Sequence, residues 1–165
     1  MNDATYLERV YAGIIGKAAG VRLGAPVEPT IWSYERIRAC YGDITGYVRD
    51  FTNFAADDDL NGPLFFIRAL SDYCTESSHE LTAEMVGKAW LDYARDGKGM
   101  FWWGGYGRSA EHTAYIHLKN GIMPPLSGSI QLSGPVMPQQ IGGQIFIDSW
   151  GLIAPGDPEL ADQEG

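Results

Sequence analysis

Residues 57–74 read DDDLNGPLFFIRALSDYC, a run of three carboxylates followed by an apolar segment. The apolar positions recur at helical spacing, so we predict a helix from about residue 61 to residue 74. Pro63 falls in the first turn of that helix, where the missing N–H group is harmless. Four side chains of this segment are expected to share the inward face: Leu64, Ile67, Leu70 and Cys74.

The carboxylates of Asp57, Asp58 and Asp59 repel one another, and only a counter-charge or full hydration offsets that repulsion. Apolar residues stand on both sides of the run, which suggests that the carboxylates converge at the edge of a core. Oxygen ligands of this kind suit hard divalent cations such as Mg²⁺, Mn²⁺ or Ca²⁺. The aspartates can equally cap a helix, whose N-terminus favours negative charge. The two interpretations are compatible.

The remaining elements are also predicted to be helices, and no convincing pair of strands can be found. The sequence therefore predicts an all-α fold, an orthogonal bundle of several helices joined by long loops rich in glycine and proline. Glycines 13, 16, 20 and 24 interrupt the first helix, and each destabilises it by about 1 kcal/mol relative to alanine. Several such glycines together predict that another backbone or a ligand approaches the helix closely. The other helices are predicted at residues 4–21, 33–40, 82–95, 109–119 and 139–152, with one more opening at Asp157 and Pro158.

The composition excludes several classes of partner. The formal net charge is −9 and no block of Lys or Arg occurs, so binding to nucleic acid or to an anionic membrane surface is not expected. Cys40 and Cys74 have no metal-binding or redox spacing and are expected to be buried free thiols. The chain has neither a leader pattern nor an apolar run of about 20 residues, so we expect a cytoplasmic protein.

Two motifs resemble those of the ADP-ribosylglycohydrolase family, which includes the dinitrogenase-reductase-activating glycohydrolase. Residues 13–28, GIIGKAAGVRLGAPVE, follow the family's glycine-spaced opening helix and its Pro-x-Glu ending. Residues 56–59, ADDD, stand where the family places T-D-D-T. Residues 142–148, GGQIFID, and 154–159, APGDPE, resemble the family's later helix and its G-D-P-E helix start.

This resemblance implies a metal-dependent hydrolase of the N- or O-glycosidic linkage between ADP-ribose and a protein side chain or a small conjugate. Asp57 and Asp58 fall on the family's metal ligands, with Asp59 as a possible third, and the cofactor would be Mg²⁺ or Mn²⁺, two ions in a complete domain. Glu28 falls on the acidic residue near the ribose, so Glu28 and Asp58 are the expected catalytic residues. Substrate contacts are expected from Gly128 and Ser129 in a phosphate-contacting loop. Tyr106 is a further candidate, because an aromatic ring can stack on adenine, although it can also cover the core.

The chain departs from the family pattern at the metal motif. Both threonines are replaced, by Ala56 and Asp59, and no D-x-D-T motif occurs downstream, where the aspartates are isolated. We therefore expect a single domain over residues 1–165 that is incomplete at its C-terminus. A further C-terminal segment or a second copy would complete the core and the ligand set. The alternative is a non-catalytic nucleotide- or metal-binding or structural protein derived from the family.

Overall fold

The computed structural model describes residues 3–50, 57–74, 80–95 and 104–164. No residue in these ranges belongs to a β-strand, and the regular elements are helices, which confirms the all-α prediction. The chain divides into two compact units, Met1–Ala55 and Ala56–Gly165. A single domain over the whole chain stays a prediction.

The first unit contains helix α1 (Asp3–Gly24), a 3-10 turn (Ala25–Val27) and helix α2 (Tyr34–Tyr41). The start of α2 is as predicted, because the Ser33 hydroxyl accepts a hydrogen bond from the Arg36 N–H at 3.3 Å. Gly42 follows α2 with a φ of 67°, a left-handed conformation that favours glycine.

Two predictions for this unit are not met in the structure. Helix α1 has no buried residue. A Cβ built at Gly16, Gly20 or Gly24 meets no atom of the described residues within 4 Å, so close approach of another backbone is not seen there, and close approach of a ligand stays a prediction. Cys40 is exposed rather than buried, although it is free as predicted.

The second unit carries the larger helices and the buried core. Helix α4 begins as predicted, with the Thr82 hydroxyl accepting a hydrogen bond from the Met85 N–H at 3.3 Å. Asp157 likewise caps the last helix by accepting from the Leu160 N–H at 3.0 Å. The helices of this unit are α3 (Asp58–Tyr73), α4 (Ala83–Tyr93), α5 (Ala110–Lys119), α6 (Ile130–Ser133), α7 (Gly142–Ile145), α8 (Asp148–Ile153) and α9 (Pro158–Glu164), with 3-10 turns at Leu126–Gly128 and Met137–Gln139.

The predicted inward face of α3 is wrong. Leu64 is 48% exposed, whereas Gly62, Pro63 and Ala69 are buried. The helix also begins three residues earlier than predicted, so Pro63 lies inside it. At Gly62 the space is filled by the ring of Phe146, since a Cβ built at Gly62 would come within 2.6 Å of that ring.

The single helix predicted over residues 139–152 is also wrong, because a turn at Phe146 and Ile147 separates α7 from α8. This turn directs the Phe146 side chain into the core, where it is 1% exposed. Phe66 joins it there, with ring centroids 6.5 Å from Phe146 and 5.1 Å from Trp150. Phe66 also stacks on Trp90 of α4 at 6.1 Å, and Tyr115 and Leu118 of α5 complete the buried cluster.

Within the described ranges, no helix combines the length and the apolarity needed to cross a lipid bilayer.

Candidate metal centre and adjoining cavity

The three aspartates converge at the start of α3. One carboxylate oxygen from each of Asp57, Asp58 and Asp59 can be chosen so that these atoms all lie within 4.8 Å of one another. We refer to these three residues as the acidic cluster. Asp57 occupies the N-cap position with extended backbone angles, but its side chain makes no capping hydrogen bond. Asp58 instead accepts a hydrogen bond from the Asp59 N–H at 3.2 Å through Oδ1. The helix start therefore places the cluster without using Asp57 as a cap.

The central carboxylate of the cluster resists ionisation. Asp58 is 8% exposed. Burial, followed by the negative charges of Asp59 and Asp57 and, more weakly, of Glu111, raises the pKa of Asp58 from 3.8 to about 6. One backbone hydrogen bond to Asp58 acts in the opposite direction. A bound cation would relieve both the desolvation and the mutual repulsion of these groups.

The donor set fits a hard divalent cation. Magnesium and manganese ions prefer carboxylate oxygens, and Mg²⁺ commonly binds through one or two protein carboxylates while keeping several waters. The cluster offers three carboxylates, of which Asp57 and Asp59 are partly exposed. This combination leaves room for coordinating water or for a substrate oxygen.

Glu28, the other predicted catalytic residue, lies in the unit Met1–Ala55. It directly follows the 3-10 turn Ala25–Val27 and is exposed. Its assignment to the site stays a prediction from the family resemblance.

A cavity of about 190 Å³ lies within the second unit. Its wall is mostly apolar and aromatic, and Gly128, one of the three predicted substrate contacts, contributes to it. We refer to it as the Glu111 cavity, after the one residue among those lining it that carries a charge. The lining residues are Phe66, Trp90, Ala110, Glu111, Ala114, Ser127, Gly128, Ser133, Met137, Pro138, Gly142, Gly143 and Phe146.

Ser129 does not line this cavity, and its hydroxyl has a structural role. The hydroxyl accepts a hydrogen bond from the Leu132 N–H at 3.3 Å and donates one to the Leu126 carbonyl at 2.9 Å. It therefore caps α6 and closes the preceding turn. A contact between Ser129 and substrate stays a prediction.

Tyr106 does not line the cavity either, but it contacts a buried histidine. His117 is 5% exposed, and its Nδ1 lies 2.7 Å from the Ser127 carbonyl. A carbonyl only accepts, so Nδ1 carries the proton, and in the neutral ring Nε2 accepts from the Tyr106 hydroxyl at 3.4 Å. Tyr106 is 65% exposed. Most of its ring is therefore open to a ligand, while the hydroxyl end is positioned by His117.

Comparison with known protein families identifies the family of the chain. The model of the ADP-ribosylglycohydrolase family matches residues 2–164. The chain belongs to the ADP-ribosylglycohydrolase family. No curated protein and no solved structure matches the chain. The family match supports a hydrolase of the ADP-ribosylglycohydrolase type and accounts for its helical fold.

Not every element of the ADP-ribosylglycohydrolase resemblance can be placed. Ala56, which replaces the first threonine of the metal motif, lies outside the described residues. The aromatic run Phe101–Trp103, which was not part of the resemblance but a candidate for stacking on adenine together with Tyr106, also lies outside them. The three aspartates of the acidic cluster lie close together, as the resemblance implies. Gly128 lines the cavity, whereas Ser129 and Tyr106 do not.

Glu111 was not among the candidate residues that the sequence indicated. It lies four and seven residues before Tyr115 and Leu118, which are buried on α5. An acidic residue in phase with an apolar helix face is unusual, because glutamate is rarely buried. The helical spacing of Glu111 with the apolar residues Tyr115 and Leu118 was the sequence signal that could have identified this residue.

Proposed function

We propose that this chain is a metal-dependent hydrolase of ADP-ribosyl N- or O-glycosidic linkages. Its substrate would be an ADP-ribosylated protein or a small ADP-ribosyl conjugate. The observation that carries the proposal is the convergence of the carboxylates of Asp57, Asp58 and Asp59 within 4.8 Å in a member of the ADP-ribosylglycohydrolase family.

Each acidic residue has a role in this reaction. A glycosidic bond breaks through an oxocarbenium-like transition state, which nearby carboxylates stabilise. Asp57, Asp58 and Asp59 would hold a divalent cation, Mg²⁺ or Mn²⁺, which would supply charge stabilisation and a lowered pKa of bound water. Glu28 would orient the attacking water or a ribose hydroxyl and accept a proton from it. Asp58, the most buried carboxylate of the cluster, would fix the position of the reacting groups.

The number of carboxylate ligands in the acidic cluster suits one bound cation better than two. Affinity rises with the number of charged ligands, and the family's D-x-D-T motif is absent from these 165 residues. A second ion would therefore draw its ligands from a further segment or from a second copy of the chain.

A non-catalytic nucleotide- or metal-binding protein is the second candidate. The replacement of both motif threonines, by Ala56 and Asp59, favours it, because these residues flank the two aspartates that the family uses.

Calorimetric titration of Mg²⁺ and Mn²⁺, with and without ADP-ribose, tests the metal site. The Asp57→Ala/Asp58→Ala double variant should lose cation binding. The Asp43→Ala/Asp50→Ala double variant is the matched control, because it makes the same change in charge at two exposed carboxylates. Cation binding that ADP-ribose strengthens, and that only the first double variant abolishes, supports the proposal.

Hydrolysis is measured separately, as release of free ADP-ribose from ADP-ribosylated protein. Metal-dependent release that the Asp57→Ala/Asp58→Ala variant lacks distinguishes the hydrolase from the binding protein. Cation and nucleotide binding without release favours the second candidate, and the absence of both overturns the metal site.

A further inference from the structure

Helix α1 carries a stripe of large apolar side chains that the described part of the chain leaves exposed. Leu7 is 68% exposed, Tyr11 is 67% exposed and Ile14 is 38% exposed. Helices in proteins owe most of their stability to the packing of one apolar face against another element, and α1 is further weakened by its glycines. An exposed apolar stripe on such a helix indicates an interaction surface.

The stripe follows a heptad pattern. Apolar residues at the a and d positions of consecutive heptads form the seam along which two helices pair. In a heptad abcdefg that begins at Ala4, all six a and d positions of α1 are apolar, and we refer to them as the α1 seam: Ala4, Leu7, Tyr11, Ile14, Ala18 and Val21. The first four of these residues are exposed and the last two are half-buried.

The sizes of the side chains favour the antiparallel pairing of two α1 seams. When the two-fold axis passes through the middle of the seam, each residue of one copy has a partner of complementary size in the second copy, in three kinds of layer: Tyr11 with Ile14, Leu7 with Ala18, and Ala4 with Val21. A parallel pair would stack every residue on its own copy. Alanine would then meet alanine in two layers, which would be loosely packed.

The charges beside the seam select the same orientation. Asp3 and Lys17 occupy g positions, whereas Glu8 and Arg22 occupy e positions. In a parallel pair a g residue faces the e residue of the next heptad, so Asp3 would meet Glu8 and Lys17 would meet Arg22. Both contacts would join like charges. In an antiparallel pair e positions face e positions, and Glu8 approaches Arg22 of the second copy twice, once on each side of the axis.

Arg22 is held in place and still accessible. Its guanidinium lies 4.5 Å from the centre of the Tyr47 ring and 3.8 Å from the carboxylate of Asp50, whose side chain is fully exposed. The Arg22 side chain itself is 34% exposed. A second carboxylate, from Glu8 of another copy, can therefore reach the guanidinium.

We propose that α1 is a self-association surface, along which two copies of this chain pair antiparallel through the α1 seam. Such a contact is isologous, because both copies use the same residues. Gly13, Gly16 and Gly20 occupy c and f positions on the opposite side of α1, so the pairing leaves the glycine face open. The inference goes beyond the proposed hydrolase function, because neither the divalent cation nor the ADP-ribosyl group takes part in it.

Sedimentation equilibrium of the full chain, in buffer that contains a chelator, tests the proposal. The mass should rise with concentration from 18.1 kDa towards twice that value. Tyr11→Glu places a charge in the middle of the seam and should weaken dimerisation at least about 100-fold. Tyr34→Glu is the matched control, because Tyr34 of α2 is 68% exposed and donates no hydrogen bond to the seam. It should leave the dissociation constant unchanged within about threefold.

Charge reversal tests the orientation. Glu8→Arg places an arginine opposite Arg22 in both symmetric contacts and should weaken the dimer about tenfold, as should Arg22→Glu. An equimolar mixture of the two variants restores opposite charges at both contacts, so their heterodimer should be as tight as the natural dimer. A parallel pair predicts the reverse for Glu8→Arg, because the new arginine would attract Asp3 and tighten the dimer.

Four results would overturn the proposal: a single species of 18.1 kDa up to about 1 mM; a dimer on which Tyr11→Glu and Tyr34→Glu have equal effects; a tighter dimer in Glu8→Arg; and no recovery in the mixture of folded variants. Circular dichroism verifies the fold of each variant. If Arg22→Glu does not fold, the two tyrosine variants and Glu8→Arg still decide the question. None of these measurements involves cation binding or hydrolysis, so failure here is distinguishable from failure of the hydrolase proposal.

Discussion

Gly62 of α3 lies directly against the ring of Phe146, so that a Cβ at Gly62 would come within 2.6 Å of Cδ1. The contact joins the two candidate sites. Gly62 is one helical turn after Asp58 of the acidic cluster, and Phe146 forms part of the wall of the Glu111 cavity. Any change at this contact should be felt both in the core and in the cavity.

Gly62→Ala should destabilise the protein. The added methyl group overlaps the Phe146 ring, which is buried and cannot move away without disturbing the core, so we expect a loss of about 1–3 kcal/mol in the free energy of unfolding. Urea denaturation followed by circular dichroism measures this change. Gly151→Ala in α8 is the matched control, because a Cβ there meets no described atom within 4 Å and should stabilise by up to about 1 kcal/mol. Equal effects of the two substitutions would contradict the contact.

Ser149→Ala should also destabilise the protein. The Ser149 hydroxyl is fully buried and donates a hydrogen bond to the Pro63 carbonyl at 2.9 Å, which ties α8 to α3. Its removal takes away one hydrogen bond to the Pro63 carbonyl, which the backbone of α3 still engages, and should cost about 0.5–1.5 kcal/mol. Ser71→Ala, at an exposed position of α3, should change stability by less than about 0.5 kcal/mol. Thermal denaturation of the two variants at one pH separates these effects, and a Ser149→Ala variant as stable as the Ser71→Ala variant would exclude the tie.

Three of the helix starts could be predicted because they depend on local chemistry. Ser33, Thr82 and Asp157 each supply a side-chain oxygen to a backbone N–H three residues on, and this pattern is visible in the sequence. The inward face of α3 could not be read in the same way. Its buried side is set by Phe146, which is 84 residues away along the chain, and the helical period alone favoured Leu64. Long-range packing, rather than propensity, decided that face.

Replacement of His117 should have a larger effect than replacement of Tyr106. His117→Ala leaves the buried carbonyl of Ser127 without its donor and opens a void beneath the cavity wall, so we expect a loss of about 2–4 kcal/mol. Tyr106→Phe removes only a long, partly buried contact of 3.4 Å and should cost less than about 1 kcal/mol. Chemical denaturation of both variants measures the difference. The reverse order of stability would show that the hydroxyl of Tyr106, and not the bond to Ser127, holds His117.

The acidic cluster was visible in the sequence because its three ligands are consecutive, so that one helix start brings them together. The Glu111 cavity was not, since its wall draws on five helices, two 3-10 turns and the turn at Phe146. Gly128 was placed near a ligand by resemblance and does reach the cavity wall. Ser129, its neighbour, is instead used to cap α6. A shift of one residue in a turn changes which residue faces the cavity. No local sequence pattern predicts which of the two residues this will be.

The stability of the cation-free protein should fall as the pH rises through the titration of Asp58. The pKa of Asp58 is raised from 3.8 to about 6, chiefly by burial and then by Asp59, Asp57 and Glu111. Between these values the folded protein holds a proton that the unfolded chain has released, so the free energy of unfolding decreases with pH. Below about pH 4 the penalty is absent, and above about pH 6 it is complete.

Asp58→Asn isolates this effect, because the amide is neutral at every pH. In the presence of a chelator, the melting temperature of the variant minus that of the natural chain should increase from pH 4 to pH 7. The other groups titrate in both proteins, so their contributions cancel in this difference. Asp43→Asn, at an exposed carboxylate, should show no such trend. A constant difference in melting temperature between the Asp58→Asn variant and the natural chain across this range would contradict the raised pKa.

Cation binding to the cluster should release a proton when the pH is below the pKa of Asp58. At pH 5.5 a carboxyl group with a pKa of about 6 is mostly protonated, and it must ionise to act as a ligand. Titration of Mg²⁺ in two buffers of different ionisation enthalpy counts the protons. We expect roughly three-quarters of a proton per bound ion at pH 5.5 and almost none at pH 7.5. The affinity should rise over the same interval, because the ligand no longer has to be deprotonated. Binding heats that do not depend on the buffer at pH 5.5 would mean that Mg²⁺ binds without Asp58, through the more exposed carboxylates of Asp57 and Asp59.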